Sequence, residues 1–386
     1  MITPAQRIAE VKEYYFSKKL KEIAQLNAEG KNIISLGIGS PDLPPSEETL
    51  NTLCSEAQKS DAHGYQPYNG TFELRNAFAS WYKKWYHVDL SPADEILPLI
   101  GSKEGILHIT LAFVNPGDQV LIPNPGYPTY SSLSKLLGAE IINYDLTEES
   151  HWMPDFDALE ELDLSRVKIM WMNYPNMPTG TKATRELFEK AVAFGQKHNI
   201  LIVNDNPYSF ILNDDLFSIL QLPGAKECCI EMNSLSKSHN MPGWRIGMIA
   251  AKPDFINWII RVKSNIDSGM FKAMQLAATE ALKADKEWHT EMNGIYRKRR
   301  QVAERIMSRL GCTFNTDQMG MFLWGRIPDN YKNAEELADR ILYDANVFLT
   351  PGSIFGSNGN RYIRISLCCP EGRLEEAYNR INNNIK

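Results

Sequence analysis

The stretch from residue 234 to residue 247, Ser-Leu-Ser-Lys-Ser-His-Asn-Met-Pro-Gly-Trp-Arg-Ile-Gly, places one lysine among hydroxyl side chains. Ser234 and Ser236 precede Lys237, and Arg245 follows it eight positions later. A lysine amine can form a Schiff base with an aldehyde, and hydroxyls with a guanidinium are the groups that hold a phosphate ester. The stretch therefore predicts a site for an aldehyde that carries a phosphate. Taken alone, it is equally compatible with a solvated lysine in a polar loop.

The composition is that of an ordinary globular chain. Its 386 residues are long for one hydrophobic core, so we expect a larger and a smaller domain. A hydrophobic content of 43% and a charged content of 23% supply the material for a sizeable core. Because the net charge is -6 and no run is rich in lysine or arginine, we expect no nucleic-acid partner.

The cysteines and the N-terminus carry weaker signals. The six cysteines show no C-x-x-C spacing, so we predict buried free thiols and no metal site. The N-terminal residues lack an apolar signal region, and no apolar run reaches the roughly 18 residues that a membrane span needs. We therefore expect a cytoplasmic protein with no membrane partner.

Short apolar segments alternate with helical patterns through the middle of the chain. The segments are residues 96–100, 120–122, 140–142, 167–172, 200–203, 229–232 and 246–249. This alternation predicts an α/β domain with a mostly parallel sheet covered by helices on both faces. In such sheets, ligands bind at the carboxyl ends of the strands.

Distinctive polar residues follow the predicted strand ends, as that rule requires. They are Ser102, Tyr127, Asn173, Asp205 and the 234–237 segment. Gly101 also turns a strand into a helix that begins at Ser102 and Lys103, whose backbone N–H groups would favour a dianion. A plain strand-to-helix turn is the alternative for that corner.

The remaining segments predict the flanking parts of the molecule. Apolar residues at helical spacing predict an N-terminal helix or two over residues 4–30, namely Ile8, Val11, Tyr15, Leu20, Ile23 and Leu26. Residues 254–308 read as a long helical region that leads into a small α+β domain. Arg361 and Arg364 fall on opposite faces of a strand, so only one can face the cleft. We predict a large domain over residues 46–280, and a small domain with an N-terminal arm over residues 1–45 and 281–386.

These residues match the needs of pyridoxal phosphate, an aldehyde that carries a phosphate. Besides the lysine, that cofactor needs an acid beside its pyridine nitrogen, phosphate donors and a stacking ring. Asp205 is the candidate acid, which would keep the ring an electron sink, and Tyr208 is placed to reach the phenolic oxygen. Tyr127 is the candidate stacking ring, with a buried structural tyrosine as the alternative.

Over nearly its whole length the sequence resembles the class I/II, fold type I, pyridoxal-phosphate aminotransferases. The resemblance rests on the ordered segments 36–45, 65–70, 101–105, 125–128, 178–180 and 234–247, together with Asp205, Tyr208 and Arg364. Residues 101–105 and 267–271 look most like the subgroup of LL-diaminopimelate, alanine and related aminotransferases. The implied fold is a large domain with a helix-covered sheet and a smaller α+β domain.

The resemblance also assigns roles. Lys237 is implied to be the Schiff-base lysine and the base that moves the substrate α-proton, and Arg364 to clamp the substrate α-carboxylate beside Gly39. The implied partner is a second copy, in a homodimer whose active sites are shared. The implied cofactor contacts are Ser102, Lys103, Tyr127, Asn176, Asp205, Tyr208, Ser234, Ser236, Lys237, Arg245 and, reaching the partner's phosphate, Tyr65.

One position departs from the family pattern. Before Pro-Thr-Gly the family places an asparagine that bonds the cofactor's phenolic oxygen, but this chain has Met177 there. A thioether cannot donate that bond, so more of the task would fall to Tyr208. Asn176 or Asn173 is the alternative donor. We hypothesise that the pKa of the lysine–cofactor linkage is higher here than in relatives with the asparagine.

The predicted function is amino-group transfer between an L-amino acid and a 2-oxo acid by a ping-pong mechanism. Fold and cofactor do not fix which bond breaks, so a carbon–sulfur β-lyase of the same fold is the alternative. A pyridoxal-sensing regulator is disfavoured, because no room for a DNA-binding domain precedes residue 33 and the chain is acidic. The sequence does not identify the amino donor or the acceptor.

Overall fold

The computed structural model describes residues 2–8 and 15–385. Val11 of the predicted N-terminal helix lies outside the described residues. The elements that precede the central sheet are α1 (Tyr15–Ala28), β1 (Ile34–Ser35), α2 (Glu47–Ala57) and α3 (Phe72–Tyr86). Side chains at their N-caps start the last two helices, because Ser46 and Thr71 each accept a backbone N–H of the first turn.

A seven-stranded sheet forms the centre of the molecule, with strand order β2-β8-β7-β6-β5-β3-β4. Its strands are β2 (Ile96–Leu99), β3 (Gln119–Asn124), β4 (Glu140–Asp145), β5 (Val167–Met172), β6 (Leu201–Asp205), β7 (Cys229–Ser234) and β8 (Gly247–Ala250). Only β8 runs antiparallel to its neighbours β2 and β7. The carboxyl ends of the other six strands therefore meet at one edge, which confirms the predicted sheet.

Helices cover both faces of this sheet. They are α4 (Ser102–Phe113), α5 (Pro128–Leu136), α6 (Phe156–Glu160), α7 (Arg185–His198), α8 (Ala225–Cys228), α9 (Leu235–Ser238), α10 (Pro253–Lys263) and α11 (Lys272–Ala281). Successive strand residues point to opposite faces. Met170 joins the core under α3 and α7, whereas Ile169 and Trp171 join the core under α4 and α10. Because both faces are buried, the strands read as continuous apolar runs.

The smaller α+β part is built around two further sheets. Its elements are α12 (Lys286–Arg309), β9 (Phe322–Arg326), α13 (Ala334–Ala345), β10 (Val347–Phe348), β11 (Thr350–Pro351), β12 (Tyr362–Ser366) and α14 (Glu371–Asn384). β12 pairs with β9 and β11, and β1 pairs with β10. Ile34 and Leu36 thereby join the core of the C-terminal part. The domain boundaries at residues 46 and 280 stay predictions.

Two other expectations differ from the structure. The long helical region over residues 254–308 is three helices, broken where Gly269 takes a positive φ of 83° and where Asp285 caps α12. All six cysteines are free as predicted, but Cys54 is exposed, and Cys228 and Cys368 are only half-buried. Among residues 2–8 and 15–385, no helix has the length and apolar character to cross a bilayer.

Candidate functional site

A cavity of about 840 Å³ lies at the carboxyl edge of the central sheet, where the smaller part of the chain covers it. It brings together most of the residues singled out from the sequence. Those that line it are Gly39, Ser102, Lys103, Tyr127, Asn173, Asp205, Tyr208, Ser234, Ser236, Lys237, Arg245 and Arg364. The rule that ligands bind at strand ends explains this convergence, because Asp205 and Ser234 are the last residues of β6 and β7.

One corner of the cavity is shaped for an anion. Gly101 precedes α4 with φ of 80°, and a Cβ atom there would collide with the Arg245 guanidinium. Arg245 is itself held by donating from Nη1 to the Pro242 carbonyl at 2.8 Å. The buried Ser102 hydroxyl has no hydrogen-bond partner among the described residues. Backbone N–H groups of α4, a guanidinium and an unused hydroxyl therefore converge at one point.

Ser234 builds the loop that carries the lysine. Its hydroxyl accepts the Ser236 N–H at 3.1 Å and donates to the Ile246 carbonyl at 3.1 Å. The first contact starts α9 at the end of β7, and the second joins that loop to the start of β8. The turn that Ser234 caps therefore places both Ser236 and Lys237 on the cavity.

Lys237 reaches from that turn to the smaller part of the chain. Its Nζ atom donates to the carbonyl of Gly39. Burial lowers the pKa of Lys237, and the nearby positive charges of Arg364 and Arg245 act in the same direction. The amine is consequently closer to its neutral, nucleophilic form than an exposed lysine would be.

Asp205 lies on the same cavity as a buried acid. Its Oδ2 atom accepts the Tyr130 hydroxyl at 2.9 Å, while Oδ1 has no hydrogen-bond partner in the part of the chain that the structure describes. Burial raises the pKa of Asp205 to about 6. An orphaned carboxylate oxygen inside a cavity fits a ligand that presents an N–H donor, because an unpaired buried acceptor is costly.

Two tyrosines form the walls near these groups. Tyr127 meets Tyr130 edge to face, with ring centroids 5.5 Å apart, and the Lys103 ammonium lies 5.8 Å from the Tyr127 ring. Tyr208 packs edge to face on Phe322 at 5.9 Å. Burial raises the pKa of Tyr208 well above its usual range, so its hydroxyl stays a donor at neutral pH.

Arg364 is the arginine of β12 that faces the cavity. Its Nη2 atom donates to the Gly37 carbonyl at 2.8 Å, and its guanidinium carbon lies 3.8 Å from the Phe322 ring centroid and 4.6 Å from that of Phe355. Arg361 instead donates to the carbonyls of Pro328 and Tyr331 outside the cavity. Arg361 lies just before β12 rather than within it as predicted, and of the two arginines only Arg364 faces the cavity.

The turn before Pro178 holds the departure from the family pattern. Met177 lines the cavity and places Sδ 3.2 Å from Nη1 of Arg364. Asn176, predicted to contact the cofactor, is not among the cavity-lining residues. Its amide donates to the Asn173 carbonyl at 3.1 Å and accepts the Thr179 hydroxyl at 2.7 Å. The structure therefore gives Asn176 the task of closing the turn rather than that contact.

Asn173 lines the cavity, but its amide is also engaged. Its Nδ2 atom donates to the backbone carbonyl of Asp205, and its Oδ1 accepts the Met177 N–H at 2.9 Å. Tyr65 is the other residue that the structure does not bring to the cavity, since its side chain is 92% exposed.

Sequence reasoning missed several wall residues. Tyr130 supports Asp205 from the first turn of α5, and Phe355 packs on Arg364. Helix α1 also lies on the cavity, contributing Phe16, Ser17, Leu20 and Lys21. An available signal was the second tyrosine in Tyr127-Pro128-Thr129-Tyr130, one helical turn after the first. The placement of α1 had no comparable local signal.

Known proteins resemble this chain over almost all of its length. The family described as aminotransferase class I and II matches residues 31–381. Proteins named LL-diaminopimelate aminotransferase from Oleidesulfovibrio alaskensis and Dehalococcoides mccartyi are both 40% identical to it, over 382 and 381 residues, with 98% of each chain covered. The substrate-bound structure of BacF from Bacillus subtilis superposes with a TM-score of 0.94 at 33% identity, covering 99% of this chain and 98% of that one.

These similarities confirm the resemblance that the sequence motifs indicate, and with it the fold type. They favour amino-group transfer, and they give no support to the carbon–sulfur lyase alternative. The chain belongs to the class I and II aminotransferases, the enzymes that move an amino group between an amino acid and a 2-oxo acid.

Proposed function

We propose that the cavity binds pyridoxal 5′-phosphate and uses it to move an amino group from an L-amino acid to a 2-oxo acid in two half-reactions. The main support for this proposal is the Oδ1 atom of the buried Asp205, which has no hydrogen-bond partner among the described residues. Asp205 lines the same cavity as the Lys237 side chain. When bound, the cofactor supplies an electron sink for the charge that develops at the substrate α-carbon.

Asp205 would hold a proton at the pyridine nitrogen. Tyr130 already occupies Oδ2, which leaves Oδ1 as the acceptor for a ring N–H. A positively charged partner there would favour the ionised carboxylate that burial opposes. Tyr208 would donate to the phenolic oxygen, and Tyr127 would lie against the ring face.

Lys237 would bind the cofactor aldehyde and then move the α-proton. Burial favours its neutral amine, which is the form that attacks an aldehyde and accepts a proton. Its hydrogen bond to the Gly39 carbonyl holds the amine within the cavity, beside the loop that would border the substrate.

The phosphate would lie at the N-terminus of α4. Ser102, Ser236 and Arg245 line the cavity there, and Lys103 contributes a second backbone N–H of the first helical turn. Arg364 would bind the substrate α-carboxylate from the smaller part of the chain.

We also infer that two copies form a homodimer with shared sites. Exposed apolar residues gather on two adjoining segments: Tyr65, Tyr68, Phe72, Ile266 and Phe271. The segments pack together, since His63 stacks on Phe271 at 5.9 Å. A second copy would cover this patch, and Tyr65 would then reach the phosphate corner of that second copy. A cytoplasmic location remains a prediction from the sequence.

A single-turnover experiment tests the proposal. Purified protein loaded with pyridoxal phosphate is mixed with a panel of amino acids that includes alanine and LL-diaminopimelate, the compound in the relatives' name. Loss of the lysine-linked cofactor absorbance, with one 2-oxo acid formed per site, is the expected result. Lys237→Ala should give no conversion at matched cofactor loading. A wild-type protein that binds no pyridoxal phosphate would overturn the proposal, and release of ammonia and pyruvate from cystine would point to a lyase.

A further inference from the structure

A polar cluster joins the loop that carries Tyr127 to the loop that packs on Arg364. We propose that this cluster, the interdomain clasp formed by Asn124, Asp145, Ser357 and Asn358, positions Arg364 for the substrate carboxylate. The inference rests on the proposed function, because it concerns how tightly that site holds an amino acid or a 2-oxo acid.

The clasp is a closed set of hydrogen bonds. The Asn124 amide donates to Asp145 Oδ1 and to the Ser357 hydroxyl, both at 2.9 Å. The Asn358 amide donates to the same Asp145 oxygen at 2.9 Å and to the Asn124 carbonyl at 3.1 Å. The Asn358 backbone N–H donates to Asn124 Oδ1 at 3.2 Å. Two asparagines and one carboxylate therefore link the end of the central sheet to the loop after β11.

On the side of the central sheet, the clasp residues end two paired strands. Asn124 is the last residue of β3 and only 6% exposed, and its carbonyl also accepts the Leu146 N–H at 2.8 Å. Asp145 ends the neighbouring strand β4 opposite Asn124. On the other side, Gly356 has φ of 137°, and a Cβ atom there would collide with Asn124 Oδ1. The approach of the two loops is so close that only glycine fits.

Both ends of the clasp lead directly to site residues. The Gly126 N–H donates to the Phe355 carbonyl at 2.8 Å, and Tyr127 follows Gly126 in the chain. The ring of the same Phe355 lies 4.6 Å from the Arg364 guanidinium carbon. The clasp therefore fixes the Phe355 ring, which covers one side of the carboxylate-binding guanidinium, relative to the wall of the cofactor ring.

The phosphate corner has a different support. Ser102 is the first residue of α4 and Arg245 lies between α9 and β8, and their described contacts involve none of the four clasp residues. Loosening the clasp should therefore weaken substrate binding and leave the phosphate contacts, and with them most of the cofactor affinity, in place. A residue that mattered only for folding would affect both.

The test compares Asn358→Ala and Asn358→Asp with Asn360→Ala, a matched control on an exposed residue of the same loop. In the holoenzyme we expect KM for the amino acid and for the 2-oxo acid to rise about fivefold in Asn358→Ala, the order of one lost hydrogen bond. The rise should be larger in Asn358→Asp, whose carboxylate would face Asp145. The cofactor dissociation constant and kcat should stay within about twofold of wild type.

A charge swap supplies the rescue. Adding Asp145→Asn to Asn358→Asp exchanges the amide and the carboxylate across the clasp, so it should return KM towards wild type. An Asn358→Asp variant whose KM equals that of Asn360→Ala, or whose cofactor dissociation constant rises in step with KM, would overturn the inference.

A binding measurement separates this inference from the proposed function. 2-Methylalanine has no α-hydrogen and cannot complete transfer, so its dissociation constant from the holoenzyme, followed by absorbance, reports binding alone. Weaker binding in Asn358→Asp than in Asn360→Ala would support the clasp even if wild type transferred no amino group. Equal binding in the two variants would overturn the clasp while leaving amino-group transfer intact.

Discussion

The Sδ atom of Met177 lies 3.2 Å from Nη1 of Arg364, so a thioether contacts the arginine that faces the cavity. Sulfur accepts hydrogen bonds weakly and cannot donate one, so this contact acts mainly through packing. The position at which the family pattern has an asparagine therefore touches the side of the cavity that we propose binds the substrate as well as the expected location of the cofactor ring. A substitution of Met177 should therefore affect both the contact with Arg364 and the surroundings of the cofactor ring.

Met177→Asn should restore an amide donor to the cavity. Such a donor stabilises a deprotonated phenolic oxygen and imine pair, so the pH at which the lysine-linked cofactor changes its absorbance should fall below that of wild type. The measurement is a spectroscopic pH titration of both holoenzymes. Met177→Leu is the control, because it keeps an apolar side chain of similar size and should titrate like wild type. Identical curves for Met177→Asn and wild type would contradict the hypothesis.

Asp205 should make the cofactor-free protein less stable as the pH rises. Burial raises its pKa from 3.8 to about 6, so both folded and unfolded states are protonated below that window. Above it, the folded state holds a buried ionised carboxylate, and the difference is worth about 3 kcal/mol. The stabilising effect of the raised pKa is thus present at low pH and lost as the pH passes through 6.

Asp205→Asn removes that charge and keeps an oxygen for the Tyr130 hydroxyl. We expect the free energies of unfolding of the two cofactor-free proteins to agree near pH 3 and to differ by about 3 kcal/mol near pH 7, with the variant more stable. Denaturant titrations at the two pH values measure this. A difference that does not change with pH would contradict the assignment. The variant should nevertheless lose most of its transferase activity, since the ring nitrogen loses its acid.

Gly101→Ala should weaken cofactor binding at the phosphate corner. Its Cβ atom would displace the Arg245 guanidinium, and a charge-assisted contact of this kind is typically worth tenfold or more in affinity. Gly117→Ala is a matched control, because Gly117 has a similar φ of 88° but no atom within 4 Å of the added Cβ. Both variants place a Cβ atom on a backbone of positive φ and should lose stability, and Gly101→Ala should lose more, because its φ of 80° and ψ of 156° are open essentially to glycine alone. Only Gly101→Ala should raise the dissociation constant of pyridoxal phosphate.

The sheet and the chemistry at its edge could be predicted because both are local signals. Short apolar segments between helical patterns located β2 to β8, and Asp205 and Ser234 follow from the rule that parallel strands present ligands at their carboxyl ends. Three serines beside the lysine and an arginine further along the chain indicated the lysine loop. These features need no knowledge of how remote segments pack.

Contacts between remote segments could not be read in the same way. The sequence predicted Asn176 to contact the cofactor. In the structure its amide forms hydrogen bonds within its own turn, and that turn exists only in the folded chain. Tyr130 reaches Asp205 across 75 positions, and Asn124 reaches Ser357 across 233. No periodicity encodes such pairs, because they depend on how segments that are remote in sequence pack together in the folded chain.

Subunit mixing tests whether Tyr65 serves the partner's site. Tyr65 is 92% exposed and outside the cavity, so a role at the phosphate requires a second copy. Tyr65→Ala and Lys237→Ala each place one defect in every site of their own homodimers. A mixed dimer in which Tyr65 crosses the interface has one site with both defects and one site with neither.

Equal mixing after reversible dissociation should therefore restore roughly a quarter of the wild-type activity, because half of the dimers are mixed and each has one intact site. If Tyr65 served its own subunit, every site of the mixed dimer would carry one defect, and mixing would restore nothing. The Tyr68→Ala variant mixed with Lys237→Ala is a control for the interface itself, since Tyr68 lies on the same exposed patch at 48% exposure. Activity in the mixture that merely equals the sum of the two separate homodimers would contradict the shared site, whatever the oligomeric state measured by sedimentation.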